Sequence, residues 1–330
     1  MSSAAVYSIL LRLQHASHAE ALRRAEPKPP IFLLGFWRSG TTFLHELFCR
    51  DRRFGFPSTY ACLNPFHFLL TERWVSEHAI PLETHRPMDN MSYSWSSPQE
   101  DEFALLSLGA PSPYEALLVP SLMLDPRSLL DIRSRTKDEQ TRWKESILYF
   151  QRLLTVQQSK PMVLKSPPHG FRLPLLPSLF PKAKYVIIER NPYEVFASNL
   201  KLWRTLVDMY GLEPCSLEEL ETFVLAAYAL HEEAIAEGIR GLPPRSFAKV
   251  RYEDLIASPV REMSRLYTEL DLENFDTVRS PLEQYLASVS EHTRNQFQVS
   301  ASQKAKVDSA WGKFIRDKSY KWDDQYVRLG

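Results

Sequence analysis

The chain has 330 residues, of which 44% are hydrophobic and 24% charged. A chain of that length can bury a sizeable core and lies between one large α/β domain and two smaller ones. Forty basic side chains balance forty acidic ones, so no overall field favours nucleic acid or an anionic membrane surface, and any basic site must be local.

Residues 4–26 read as an amphipathic helix with Ile9, Leu10 and Leu13 on its packing face, stopped by Pro27, Pro29 and Pro30. Residues 31–34, Ile-Phe-Leu-Leu, have the length and flanks of a buried strand. The loop Gly35-Phe36-Trp37-Arg38-Ser39-Gly40 follows. Thr41 and Thr42 then open a helix in which Phe43, Leu44, Leu47 and Phe48 recur at helical spacing. This order makes a site for a phosphate-like anion. N–H groups in the loop and first helical turn lack internal partners, and the helix dipole favours negative charge there. The glycine spacing is that of a nucleotide-binding P-loop, but Thr41 stands where that motif requires Lys. A smaller anion is expected, with Arg38 as its cation.

Residues 51–98 are rich in Pro, aromatics and His, with a helix expected from about 65 to 78. Residues 54–95 are a candidate acceptor-binding wall. Ser97-Pro98-Gln99-Glu100-Asp101-Glu102 reads as a helix start, with Ser97 as cap and Pro98 at the first position. Residues 111–135 read as loop and 141–156 as an amphipathic helix. A strand over 161–164 runs into Lys165-Ser166-Pro167-Pro168-His169. A helix over 171–179, a strand over 185–188, a helix from Asn191-Pro192 to about 207, a helix over 217–236 and a last strand over 247–250 follow. Strand–helix alternation of this kind predicts a parallel sheet covered on both faces. Helices are expected to about 286, then a polar, lysine-rich tail.

Arg-Ser-Gly-Thr-Thr after a strand resembles the 5′-phosphosulfate loop of the sulfotransferases, whose donor is 3′-phosphoadenosine-5′-phosphosulfate (PAPS). A second signature of that family is an Arg at a strand end with Ser eight residues later, and Arg190 and Ser198 stand at that spacing. Arg251-Tyr252-Glu253-Asp254-Leu255 also resembles the pattern after the family's final strand. Residues 86–90 and 98–103 resemble the bacterial-type branch.

The resemblance implies a P-loop-like three-layer α/β/α fold with a central parallel sheet. It covers most of residues 30–270, with 1–29 as an N-terminal helix, 271–330 as a C-terminal helical or closing segment, and the whole as one domain. It implies that Arg38, Ser39, Gly40, Thr41 and Thr42 hold the 5′-phosphosulfate, that Arg190 and Ser198 hold the 3′-phosphate, and that Lys165 serves the bridging oxygen. Arg294 is a further donor-binding candidate in place of an Arg-Lys-Gly segment. Many relatives carry Lys-x-His at the strand end, the His acting as base, but Pro167 occupies that position here. Glycan-type relatives use a carboxylate as base, and this resemblance implies Glu100, from the acidic cluster Glu100-Asp101-Glu102, ahead of Glu102 and His169.

In-line sulfuryl transfer needs positioning, cations where charge builds, and a base for the acceptor proton. The expected enzyme takes PAPS, releases 3′,5′-adenosine bisphosphate (PAP) and requires no metal. Its acceptor is a small molecule, lipid or glycan, with no nucleic-acid partner and with a homo-oligomer left open. Cys49, Cys62 and Cys215, widely spaced, read as reduced thiols. No stretch approaches the roughly 20 apolar residues of a membrane span, and charged residues interrupt any N-terminal signal run, so a cytoplasmic enzyme is expected. The rival readings are a small-molecule kinase and a non-catalytic nucleotide-binding protein.

Overall fold

The structure is a computed structural model and describes residues 3–78, 94–289, 296–324 and 327–329. Its centre is a parallel sheet of β1 (Ile31–Leu34), β2 (Val163–Lys165), β3 (Lys184–Glu189) and β4 (Phe247–Arg251) in the order β2-β1-β3-β4. β1, β2 and the middle of β3 are buried on both faces, which is why they read as unbroken apolar runs rather than alternating ones.

Alternate residues face opposite layers. Ile31, Leu33, Val163, Val186 and Ile188 pack with Leu44, Leu47, Met263 and Leu282 on one side. Phe32, Leu34, Leu164, Tyr185 and Ile187 pack with Trp143, Ile147, Phe150 and Leu176 on the other. A third cluster, around Trp37, Phe196, Trp203 and Tyr228, caps the sheet's C-terminal side. The fold is therefore three-layer α/β with a central parallel sheet. β1 lies between β2 and β3, so the chain leaves it first to one side and then to the other. Open α/β sheets bind ligands at that crevice, beyond the strands' C-terminal ends.

Several expected elements shift. The first helix is Ser3–Arg24, but Ile9 and Leu13 are exposed, and the contact face runs through Gln14 and Leu22. Gln14 is fully buried and bonds the Pro65 carbonyl and the Leu69 N–H. Ser97 and Pro98 do not start a helix. Their backbone pairs with residues 57–59 through Thr59 N–H to the Ser97 carbonyl and Gln99 N–H to the Pro57 carbonyl, and the helix begins at Glu102. Residues 111–135 are a chain of short helical turns started by Pro113, Pro120 and Pro126. The helix expected over 171–179 is two pieces, Pro168–Arg172 and Leu176–Leu179. Lys137–Gln158 begins earlier than expected because Thr136 and Glu139 form a capping box.

The tail holds a packed helix that its polar, lysine-rich composition hides. Ala301–Asp317 is a helix that buries Val307, Trp311 and Ile315, and Trp311 donates to the Leu225 carbonyl at 2.9 Å. β5 (Phe297–Val299) and β6 (Val327–Leu329) pair in parallel beside it. Spacing of four residues puts the three apolar side chains on one stripe, hidden in the sequence among lysines. Trp311→Ala should cost about 3–5 kcal/mol of unfolding free energy, read from urea denaturation. An unchanged midpoint would show that the tail is not part of this core.

Candidate active site

β1 ends at Leu34, and Gly35 must pass close to Ile188, Ser39 and Thr41; a Cβ there would lie 2.7 Å from the Ile188 methyl. Arg38 is held at φ 65° and Gly40 at φ 97°. For a residue with a side chain that left-handed backbone costs roughly 1–3 kcal/mol and persists only where the surroundings enforce it. Arg190 enforces it, donating from Nη1 to the Arg38 carbonyl at 3.0 Å. The Arg38 Nε in turn donates to Ser198 Oγ at 3.0 Å. Arg38 thus meets two residues that lie 152 and 160 positions further along the chain, at the end of β1. Arg190 also pairs with Glu194 at 2.7 Å and stacks on Tyr252 at 4.3 Å.

Ser39 Oγ and Arg190 Nε are buried without a hydrogen-bond partner among the described residues. Gly40, the N-cap of Thr41–Phe48, gives that helix no side-chain cap. Thr41 is buried and Thr42 half-buried. Unsatisfied donors at a helix N-terminus beside two guanidinium groups fit a phosphate-bearing ligand.

On the β2 side, three consecutive carboxylates meet five different side chains. Glu100 Oε1 accepts from Lys165 Nζ at 2.7 Å, and its Oε2 accepts from the Tyr114 hydroxyl at 2.5 Å. Asp101 accepts from Ser166 Oγ at 2.7 Å and contacts His169 Nε2 at 2.8 Å. Glu102 takes a two-pronged pair from Arg172 at 2.5 and 2.8 Å, the strong fork geometry for a carboxylate. Glu102, Asp101, His169 and Arg172 are almost wholly buried, whereas Glu100 is 16% exposed. Of the three carboxylates, Glu100 alone reaches solvent appreciably.

Burial alone would raise the Asp101 carboxyl, but His169 and the hydrogen bonds from His169 and Ser166 outweigh it and hold it below the ordinary aspartate value. Burial, then the Glu100 charge, push the Tyr114 hydroxyl well above the usual phenol value, so it stays a proton donor.

The structure therefore brings Arg38, Ser39, Gly40, Thr41, Thr42, Arg190 and Ser198 together in one place and sets Lys165 with Glu100 beside them. Glu102 and His169 lie behind that edge. His45 is packed behind the loop, its Nε2 3.3 Å from the Val163 carbonyl. Arg294, and residues 79–93 of the expected acceptor wall, lie outside the described residues. The sequence alone does not mark Tyr114, Arg172 or Ser166 as site residues. Arg172 stands three residues after His169 on one helix face, a legible spacing, but nothing local points Tyr114 at Glu100.

A carboxylate held low in the fold adds stability above its unfolded pKa and loses it as pH falls through its folded value. Asp101→Asn should lower stability at pH 7 by roughly 3 kcal/mol or more, with the gap to the native sequence closing below about pH 4. A gap that stays constant through that acid range would contradict the assignment.

The sulfotransferase family model matches residues 29–277. The ω-hydroxy-β-dihydromenaquinone-9 sulfotransferase Stf3 of Mycobacterium tuberculosis is 38% identical over 287 residues, covering 87% of this chain and 74% of that protein. Two solved structures share the fold. Sulfotransferase STF9 from Mycobacterium avium has a TM-score of 0.70 at 18% identity, over 94% of this chain and 82% of its own. STF1 from Mycobacterium tuberculosis has a TM-score of 0.66 at 21% identity, over 92% and 81%. The kinase and non-catalytic readings give way to these findings, and with three quarters of its length inside the family's model the chain belongs to the sulfotransferase family and is an enzyme of sulfuryl transfer.

Proposed function

We propose that the donor is PAPS and that the acceptor is the hydroxyl of an apolar small molecule, of the prenyl-quinone or lipid-alcohol kind. One observation carries the reading: the Lys165–Glu100 pair lies at the same sheet edge as the Arg38–Ser198–Arg190 cluster. Bound there, PAPS supplies a sulfuryl group already activated by a good leaving group, and PAP is the product.

Each residue's part follows from its chemistry. Arg190 and Ser198 hold the 3′-phosphate, since a guanidinium grips phosphate through two donors. Arg38 and the first-turn N–H groups of Thr41 and Thr42 face the 5′-phosphosulfate. Lys165 sets its ammonium where charge builds on the leaving oxygen. Glu100 takes the acceptor proton because it is the carboxylate with exposure at the edge. Glu102 and His169, both fully buried and engaged with Arg172 and Asp101, support the edge from behind.

Two features favour an apolar acceptor. The segment after Tyr114 exposes Leu118, Leu122 and Leu124 at 50, 37 and 67%. The relative named above, with 38% identity, carries a hydroxylated dihydromenaquinone in its name.

Radiolabelled PAPS incubated with a panel of ω-hydroxylated prenyl quinones and lipid alcohols tests this directly. Transfer is expected, and Glu100→Gln should lower kcat by about 100-fold or more while leaving PAP affinity within about twofold. Label moving only to sugars would overturn the acceptor class, and full turnover in Glu100→Gln would move the base elsewhere.

A further inference from the structure

The hydrogen bonds around Glu100 run in one direction only. The Trp37 indole N–H is a donor without acceptor capacity, and so is the Lys165 ammonium. Trp37 Nε1 donates to the Tyr114 hydroxyl at 3.2 Å, so that hydroxyl must spend its own proton on Glu100 Oε2, 2.5 Å away. Lys165 fills Oε1 at 2.7 Å. Each oxygen of the carboxylate therefore already accepts from one donor, and an acceptor hydroxyl approaching Oε1 must share it with the Lys165 ammonium.

The two donors differ in what else they can do. Lys165 has a flexible stem and an ammonium that the proposed donor site also requires. Tyr114 is fixed. Its ring stacks on Phe103 at 5.4 Å and lies 6.5 Å from the Trp37 ring, and the residue is only 8% exposed. Trp37 is the residue before Arg38 in the anion loop, and its carbonyl accepts from Asn199 at 2.8 Å, on the helix that carries Ser198. Tyr114 thus ties the carboxylate to the loop itself, whereas Lys165 closes it off.

Resting on the reading of Glu100 as base and Lys165 as donor ligand, we propose that Lys165 is a latch on the base and that Tyr114 is the positioning residue that keeps Glu100 in register when the latch opens. Arrival of the donor draws the Lys165 ammonium to the leaving-group phosphate. Oε1 is vacated toward the acceptor, while Tyr114 retains Oε2. The acceptor therefore meets a competent base only after the donor is in place, so substrates add in order, donor first.

A crystal structure with PAP is the test that needs no acceptor. Lys165 Nζ is expected on the PAP 5′-phosphate and away from Glu100, with the Tyr114–Glu100 and Trp37–Tyr114 bonds intact. An unbroken Lys165–Glu100 bond with PAP in the site overturns the latch, and a broken Tyr114–Glu100 bond overturns the positioning role. Failure of PAP to bind at all, seen first by calorimetry, removes the donor reading and this inference with it. Kinetics give the second readout. Tyr114→Phe keeps the ring and its packing but drops the one oxygen, and is expected to lower kcat by about 100-fold, the scale of a slightly misplaced group. The donor KM and PAP affinity should stay within about twofold. Trp37→Phe should act in the same direction, and the double variant should be no slower than the slower single one. A kcat unchanged in Tyr114→Phe, or a donor affinity that falls as far as kcat, contradicts the proposal.

Discussion

The site depends on a side-chain zipper between two short segments, residues 100–102 and 165–172. Glu100 meets Lys165, Asp101 meets Ser166 and His169, and Glu102 meets Arg172, in the same order along both segments. Ser166 closes it further by accepting the Glu102 N–H at 3.0 Å. Moving that many charges out of water is expensive, and the attraction between them repays it only when the geometry is good and further hydrogen bonds are made. Here each of the six carboxylate oxygens accepts a hydrogen bond. The zipper fastens the acidic segment to the end of β2 and leaves the first of its three carboxylates at the rim, facing the crevice.

That crevice exists because of the strand order. β1 lies between β2 and β3, so the anion loop after β1, the lysine ending β2 and the arginine after β3 all emerge together. The loop's left-handed Arg38 is held down by Arg190, so the residues that would receive the donor also maintain the loop's shape. Emptying that contact would relax a strained backbone as well as remove a charge.

Much of this was legible in the chain. The strand–loop–helix over residues 31–48 could be read because an unbroken apolar run, two glycines and a helical repeat are all local signals. Arg190 and Ser198 could be paired through their fixed spacing along one strand end and helix. The acidic triplet was visible as an excess of charge, yet its local reading as a helix start was wrong: backbone pairing with residues 57–59 holds 97–99 extended. What assigns its members their parts is contact across 65 or more positions of chain, which no local pattern encodes. The same holds for Tyr114, which is 77 positions from Trp37 and lies in a stretch whose prolines read as loop. The tail's core contacts are hard to read for another reason. Its apolar stripe of Val307, Trp311 and Ile315 is sparse, and the lysines around it dominate the composition.

The proposed donor is a nucleotide with a phosphate at each of two ribose positions, rather than a triphosphate with its metal. Calorimetric titration with 3′,5′-adenosine bisphosphate beside ATP–Mg²⁺ separates the two. Tight binding of the bisphosphate with no heat from ATP–Mg²⁺ is expected. Preference for ATP–Mg²⁺ would contradict it, because Thr41 leaves the loop without the lysine that a triphosphate requires.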